Sequence, residues 1–521
     1  MQRSVDWHHE SDLARRATRG GLATAGGTWL RFALQLGTVV VVARILGPTE
    51  YAAAAVVLLV ATLAELLRSQ GIATAIVQSS SLTSPVASAL HWINLTAGVI
   101  AGAVMLLLSP TLTTFVGGED LLAGALLGVV FLAAGAGGVP AALLNRNLDL
   151  RAIAIAEIVA MIIGCAVALS FALAGAGAMA LVWQAAVYAV VLTLITAVAC
   201  PWRPGRLAAR RDAVGSLRFA GAVAAVHALN GVTRNVDRVI VGSVFGPAAA
   251  GLYAQAVQLL TLPLEQINGP LQRIALPLLS RVRDERERFA RTFRLIVSIV
   301  GYILWPVFVV LGVLAVSIVE VLFGHEWADS APLFQILVVA GISQALGYVN
   351  VWLFVASGNV GKQVVWAVIS RPIVLGSFFL GLPWGVHGVA WAFSICSAAL
   401  VIPGFLVARP GTGLRMRDVF FPLGWPSVLA AASGAAAFGG TLLIADAGWL
   451  QLVVAGSAAV TVFLVGFAAI PSARGLVRQL ITAIRPSDVP TAAARPEAIG
   501  VHTAHLDPTR PSSLSSTKEQ S

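Results

Sequence analysis

The chain has 521 residues, 58% hydrophobic and only 11% charged, with a mean hydropathy of +0.86 and a net charge of +10. Charged residues make up about a quarter of an ordinary soluble domain, so this composition excludes a soluble fold and specifies a membrane protein with many crossings. The positive charge does not call for nucleic acid, because the basic residues collect in alternate loops, which is a topology signal.

Uninterrupted apolar windows of roughly 20 residues, without strand-like alternation, predict about fourteen helical spans rather than a barrel. They lie near residues 22–43, 51–69, 87–109, 121–144, 152–173, 178–199, 216–244, 248–272, 292–315, 331–355, 362–381, 386–408, 425–445 and 449–470. One set of loops holds Arg146 and Arg151, then Arg203, Arg206, Arg210 and Arg211, then Arg281 to Arg291, Lys362, and Arg409 to Arg417. The other set holds Glu50, Glu119, Asp120, Glu326, Asp329 and Asp446 without Lys or Arg. The positive-inside rule makes the first set cytoplasmic and places both termini in the cytoplasm. Cys165, Cys200 and Cys396 have no metal-type spacing and are read as packing residues. After Pro486 the chain turns to Pro, Ser, Thr and Ala, which predicts a disordered cytoplasmic tail.

Two stretches repeat. Leu46-Gly47-Pro48 recurs as Phe245-Gly246-Pro247, and Thr62-Leu63 recurs as Thr261-Leu262 at the same offset. Tyr51 with Tyr253, and Glu65 with Glu265, match after a slip of one or two positions. Six spans separate the copies, so both run the same way, as in a parallel repeat about an axis normal to the membrane. The expected organisation is a cytoplasmic segment 1–20, a six-helix bundle 21–205, a second six-helix bundle 206–410, two extra helices within 411–472, and the tail 473–521.

Deep polar residues concentrate on spans one, two, seven and eight. His227, Asn230, Arg234 and Asp237 step by three or four along span seven, with Arg238 beside them. Span one carries Thr24, Thr28, Arg31, Gln35 and Thr38 on one face. Span two carries Thr62, Glu65 and Ser69, and span eight carries Gln255, Gln258, Glu265, Asn268 and Gln272. A charge at bilayer depth costs about 2.5–3.5 kcal/mol even on the insertion scale, so these stripes are expected to line a shared aqueous cavity rather than face lipid. Interhelical hydrogen bonding is the competing account for any single Thr or Gln. Arg31, Arg234 and Arg238 form a candidate anion site, since the guanidinium fork matches phosphate oxygens and stays charged. Asp237 either tempers that site or only neutralises Arg234. Gln35, Glu65, Asn230, Asp237, Gln258 and Glu265 are the candidates for the cavity and for coupling to a proton or sodium ion. Arg44 reads as an interfacial snorkelling residue, and His91, Glu157 and Arg371 as local structural or interfacial groups. No cofactor is implied: there is no Cys/His metal spacing, no Gly-rich phosphate loop with Lys and no catalytic triad, so the chain is not expected to be an enzyme.

The run from Asn235 to Val282, with Asp237, Gly242, Gly246, Gly251, Tyr253, Pro263, Pro270 and Pro277, resembles the Wzx-type polysaccharide exporters, most closely the WzxC-like colanic and teichuronic acid branch. The Gly324-x-x-Trp327 element and the Leu46-Gly47-Pro48 turn belong to the same resemblance. It implies a member of the multidrug/oligosaccharidyl-lipid/polysaccharide (MOP) superfamily: two six-helix bundles about a central cavity that opens alternately to each side. The implied cargo is an undecaprenyl-diphosphate-linked oligosaccharide, flipped to the outer leaflet of a bacterial cytoplasmic membrane by a monomer, with polymerase or assembly proteins as partners and membrane lipids around it. The alternative is a multidrug or other small-molecule exporter of the same superfamily. Polysaccharide polymerases or ligases are disfavoured because the external loops are short and lack Lys and Arg.

Overall fold

The computed structural model describes residues 33–51, 57, 60–61, 63–65, 76, 82–111, 120–147, 149–205, 236–444, 448–471 and 473–475. Arg31, Asn230 and Arg234, most of span two, the first part of span seven and the tail lie outside the described residues.

The described chain is helical throughout, without a strand. Helix α1 covers residues 33–51, with Gly47 at φ 67°. The helices α2 (Ser84–Leu107), α3 (Asp120–Arg146), α4 (Leu150–Leu173) and α5 (Met179–Ala199) follow. After the undescribed gap come α6 (Val236–Phe245), α7 (Pro247–Arg281), α8 (Arg286–Val313), α9 (Ala315–Leu322), α10 (Ser330–Ala356), α11 (Val360–Gly381) and α12 (Gly385–Ala408). A short α13 (Met416–Phe420) leads into α14 (Gly424–Leu443) and α15 (Trp449–Ala469). Nine described segments are long and apolar enough to cross a membrane, and one of them, Gly361–Ala408, contains both α11 and α12. Apart from that of span seven, the eleven sequence windows from 87–109 onward each centre on one described helix, although α7 runs to Arg281 and α8 starts at Arg286, beyond the windows 248–272 and 292–315. The α7 helix runs unbroken through Pro263, Pro270 and Pro277 to a length of 35 residues.

Packing divides the helices into two groups. In the first, α3 lies against α2 and α5, and α5 lies against α4. In the second, α10 joins α7, α8 and α12, while α11 pairs with α12. The last two helices, α14 and α15, pair with each other, and α14 lies on α8. Lipid tails are as apolar as leucine, so close backbone approach over small residues, rather than expulsion of water, holds such helices together. On α2 and α3 a methyl group on Gly98 would sit 2.7 Å from the Phe131 carbonyl oxygen, and one on Gly102 2.9 Å from that of Gly128. Asn94 adds a buried hydrogen bond from Nδ2 to the Gly135 carbonyl at 3.0 Å. Gly102→Val is therefore expected to destabilise the protein by about 1–3 kcal/mol by overpacking, read as a lowered melting temperature in detergent.

The later helices are tied in by polar contacts as well. Arg294 on α8 pairs with Asp418 of α13 at 2.9 Å, and the other Asp418 oxygen accepts the Arg415 amide at 2.8 Å. Gln451 on α15 receives the Ser317 hydroxyl of α9 and donates to the Thr441 and Ile444 carbonyls that end α14. Thus the two extra helices are pinned to the second group at both ends. His91 is buried between Trp92 and Trp202, with ring centroids 5.7 Å from each, in keeping with a structural role.

Helix α1 belongs to both groups. Val42 and Leu46 pack with Ala168, Ala172 and Ala180 of the first group, whereas Ala43 and Tyr51 join the large core of the second. One helix face therefore serves each bundle, which follows from adjacent positions lying about 100° apart.

Candidate functional site at the paired Gly-Pro turns

The two repeated turns have matching backbones. Gly47 and Gly246 both adopt positive φ, 67° and 88°, a region in which only glycine is unstrained. Each is followed by a proline: Pro247 opens α7, where its fixed φ suits the first helical turn, and Pro48 lies near the end of α1. The copies also touch: the Pro48 carbonyl lies so close to Gly251 that a methyl group there would be 2.1 Å from the oxygen.

Beneath this contact sits a closed polar cluster. Asp237 and Arg238, near the start of described α6, are 4% and 7% exposed, and Tyr51 and Tyr253 are 3% and 0% exposed. The Asp237 carboxylate accepts the Arg238 amide at 2.9 Å. Arg238 is the electrostatic neighbour of Asp237 and of both tyrosines of the repeat-related pair. The Tyr253 hydroxyl neighbours the Asp237 carboxylate without completing a hydrogen bond of ordinary geometry. Burial strengthens each of these interactions and makes every group costly to leave without its neighbours.

The other predicted site residues lie away from the cluster. Down the Gly251 face of α7, Gly251 and Gln255 are buried, Gln258 is half-buried and Glu265 is exposed. Glu265 stands about 21 Å along the helix from Gly251 at 1.5 Å per residue. Gln35 on α1 and Glu65 are exposed too, toward the same end of their helices relative to Gly47. Burial thus falls steadily from the Gly-Pro end. The structure brings Asp237 and Arg238 together in the closed end, and leaves Gln35, Glu65 and Glu265 on the accessible surface. Asn230, Arg31 and Arg234 fall outside the described residues, so the part of the anion site they would form rests on sequence.

Two residues of this end escaped the functional reading of the sequence. Arg44 does not lie free at the interface: its Nε donates to the Leu322 carbonyl at 2.6 Å and its Nη2 to that of Val321, across 277 residues. Trp327, 1% exposed, donates from Nε1 to the Ala43 carbonyl at 3.2 Å and meets the Tyr51 ring edge-on at 5.3 Å. A large aromatic in an otherwise polar, short loop was the available signal, since a solvated loop gains nothing from a tryptophan. Among the described residues no three His, Cys, Asp or Glu side chains group as a metal site.

Comparison with known proteins agrees with this architecture. Over 422 residues the chain is 24% identical to the lipopolysaccharide biosynthesis protein WzxC of Escherichia coli (strain K12), covering 80% of this chain and 86% of that protein. The fold matches a structure of the lipid II flippase MurJ in an inward closed conformation, with a TM-score of 0.68, 14% identity, and coverage of 88% of this chain and 100% of that one. It also matches an inward-facing multidrug resistance MATE family transporter of the MOP superfamily, with a TM-score of 0.58, 18% identity, and coverage of 74% and 94%. Residues 41–332, more than half of the chain, match the polysaccharide biosynthesis protein family, and the chain belongs to that family, with the all-helical fold of the MOP superfamily.

Proposed function

We propose that the protein flips undecaprenyl-diphosphate-linked oligosaccharide units from the cytoplasmic to the outer leaflet by alternating access. The observation that carries this is the burial gradient on α1 and α7. Polar and acidic side chains at Gln35, Glu65 and Glu265 are accessible at one end and Gln258 is half-buried between, while the other end is shut over Asp237 and Arg238. Accessible carboxylates within spans are tolerable only where water reaches them. The loop charges assign the shut end to the outside, so this conformation faces the cytoplasm, where lipid-linked units are made. A headgroup entering from there would meet the polar face first. Arg31 and Arg234 would hold the diphosphate, and Arg238 would join them when the outer end opens.

The test is a strain lacking the protein. Complete lipid-linked repeat units should accumulate several-fold on the cytoplasmic face, and the full-length chain should clear them. Units found already on the outer leaflet, with unchanged surface polysaccharide, would overturn the proposal and turn attention to small-molecule export.

A further inference from the structure

From the contacts across the Gly-Pro end we infer that Arg44 and Trp327 are the releasable bonds of a latch, which must break for this end to open. The inference rests on the transport reading for its purpose, but not for its geometry. The latch lies where α1, held to the first group through Val42 and Leu46, meets the core of the second group through Ala43 and Tyr51. On one side is the end of α1, Ala43 to Tyr51. On the other is the end of α9 with the loop through Gly324 and Trp327.

Three features give it the character of a latch rather than a permanent seam. First, the bonds are few and polar at its rim. Arg44 is an exposed side chain whose fork caps two of the last carbonyls of α9, groups that have no partner within the helix. A cation there also complements the negative end of the helix dipole. Water can replace Arg44 at those carbonyls, so release leaves no buried group stranded. Second, the polar part of the inner contact is one neutral hydrogen bond, Trp327 Nε1 to the Ala43 carbonyl at 3.2 Å, set beside the Tyr51 ring in apolar packing with Val319 and Phe323. Third, the seam is thin at its centre. Gly47 and Gly251 offer no side chain; a methyl on Gly47 would stand 2.8 Å from Glu326 Oε2, and one on Gly251 would meet Pro48. Tyr51 links the latch to the charges below, since it touches Trp327 on one side and is the electrostatic neighbour of Arg238 on the other.

The experiment uses the full-length chain with Cys165, Cys200 and Cys396 replaced by Ala and Gln255→Cys as reporter. Gln255 is fully buried one helical turn below Gly251 on the same face. A membrane-impermeant maleimide is added to intact cells and, separately, to inverted vesicles. Arg44→Met removes two charge-assisted bonds and should raise the labelling rate from outside about tenfold; Trp327→Phe keeps the ring on Tyr51, removes one neutral bond and should raise it about threefold. Trp327→Phe preserves packing, so it decides the matter if Arg44→Met fails to fold. Unchanged labelling in the folded variants, or an increase only in inverted vesicles, would overturn the latch. The labelling needs no cargo. Faster outside labelling in a protein that proves not to clear lipid-linked units would refute the flipping proposal and leave the latch standing.

Discussion

Arg238→Ala should lower clearance of lipid-linked oligosaccharide by about 10- to 100-fold at equal protein level, the range expected when one charge-assisted contact to a phosphate is lost. Arg238 is also the cation beside a buried carboxylate, so the single variant mixes two effects. Removing one member of a buried pair destabilises a protein by about 3–5 kcal/mol, because the other charge is left in a poor solvent. The double variant Arg238→Met with Asp237→Asn separates them. Both charges disappear together, a change that buried pairs often tolerate, so the melting temperature should return close to the starting value. Transport should stay lost if Arg238 meets the diphosphate. A stable double variant that clears its cargo normally would reduce Asp237 and Arg238 to a structural pair and leave the anion site to Arg31 and Arg234.

The spans and the paired turns were legible in the sequence for simple reasons. Each described span is a continuous apolar run, and the match of Gly47-Pro48 with Gly246-Pro247 is a match of backbone requirements, positive φ followed by fixed φ. The repeat matched Tyr51 with Tyr253 only after a slip in register, and nothing in the sequence pointed to burial of both beside Arg238. Periodicity gathers polar residues onto helix faces, but it is blind to depth. It could not say that Asp237 is enclosed while Glu265, on the neighbouring helix, is accessible, because that depends on which end of the molecule is closed. Arg44 and Trp327 were opaque for a related reason. Their partners are backbone carbonyls, at Val321, Leu322 and Ala43, and a carbonyl leaves no mark in the sequence. The Gly324-x-x-Trp327 element was recognised as a resemblance, and its physical content is the edge-on contact with Tyr51.

Gly251→Leu should abolish clearance of lipid-linked units while leaving α7 intact. Gly251 is helical and does not need the positive φ that Gly47 and Gly246 adopt, so within its own helix a leucine is favourable by about 0.5–1 kcal/mol. The penalty falls wholly on the contact between the two repeats. There the first added carbon would lie 2.1 Å from the Pro48 oxygen and 3.0 Å from its carbonyl carbon. Both are backbone atoms that cannot rotate away, so the cost belongs at or above the upper end of the usual overpacking range, about 3 kcal/mol, which is roughly a 100-fold bias against the closed Gly-Pro end. Alternating access needs that state, since a cycle that cannot close one side cannot load from the other. Gly251→Ala places only that first carbon and should lose most of the transport by itself, whereas Gly269→Ala, at a position of the same helix where a methyl group meets nothing within 4 Å, should not. Helix content by circular dichroism should be unchanged in all three. Normal clearance by Gly251→Leu would mean that the repeats need not meet at Pro48 during the cycle, and that the closed end described here is not a working state of the protein.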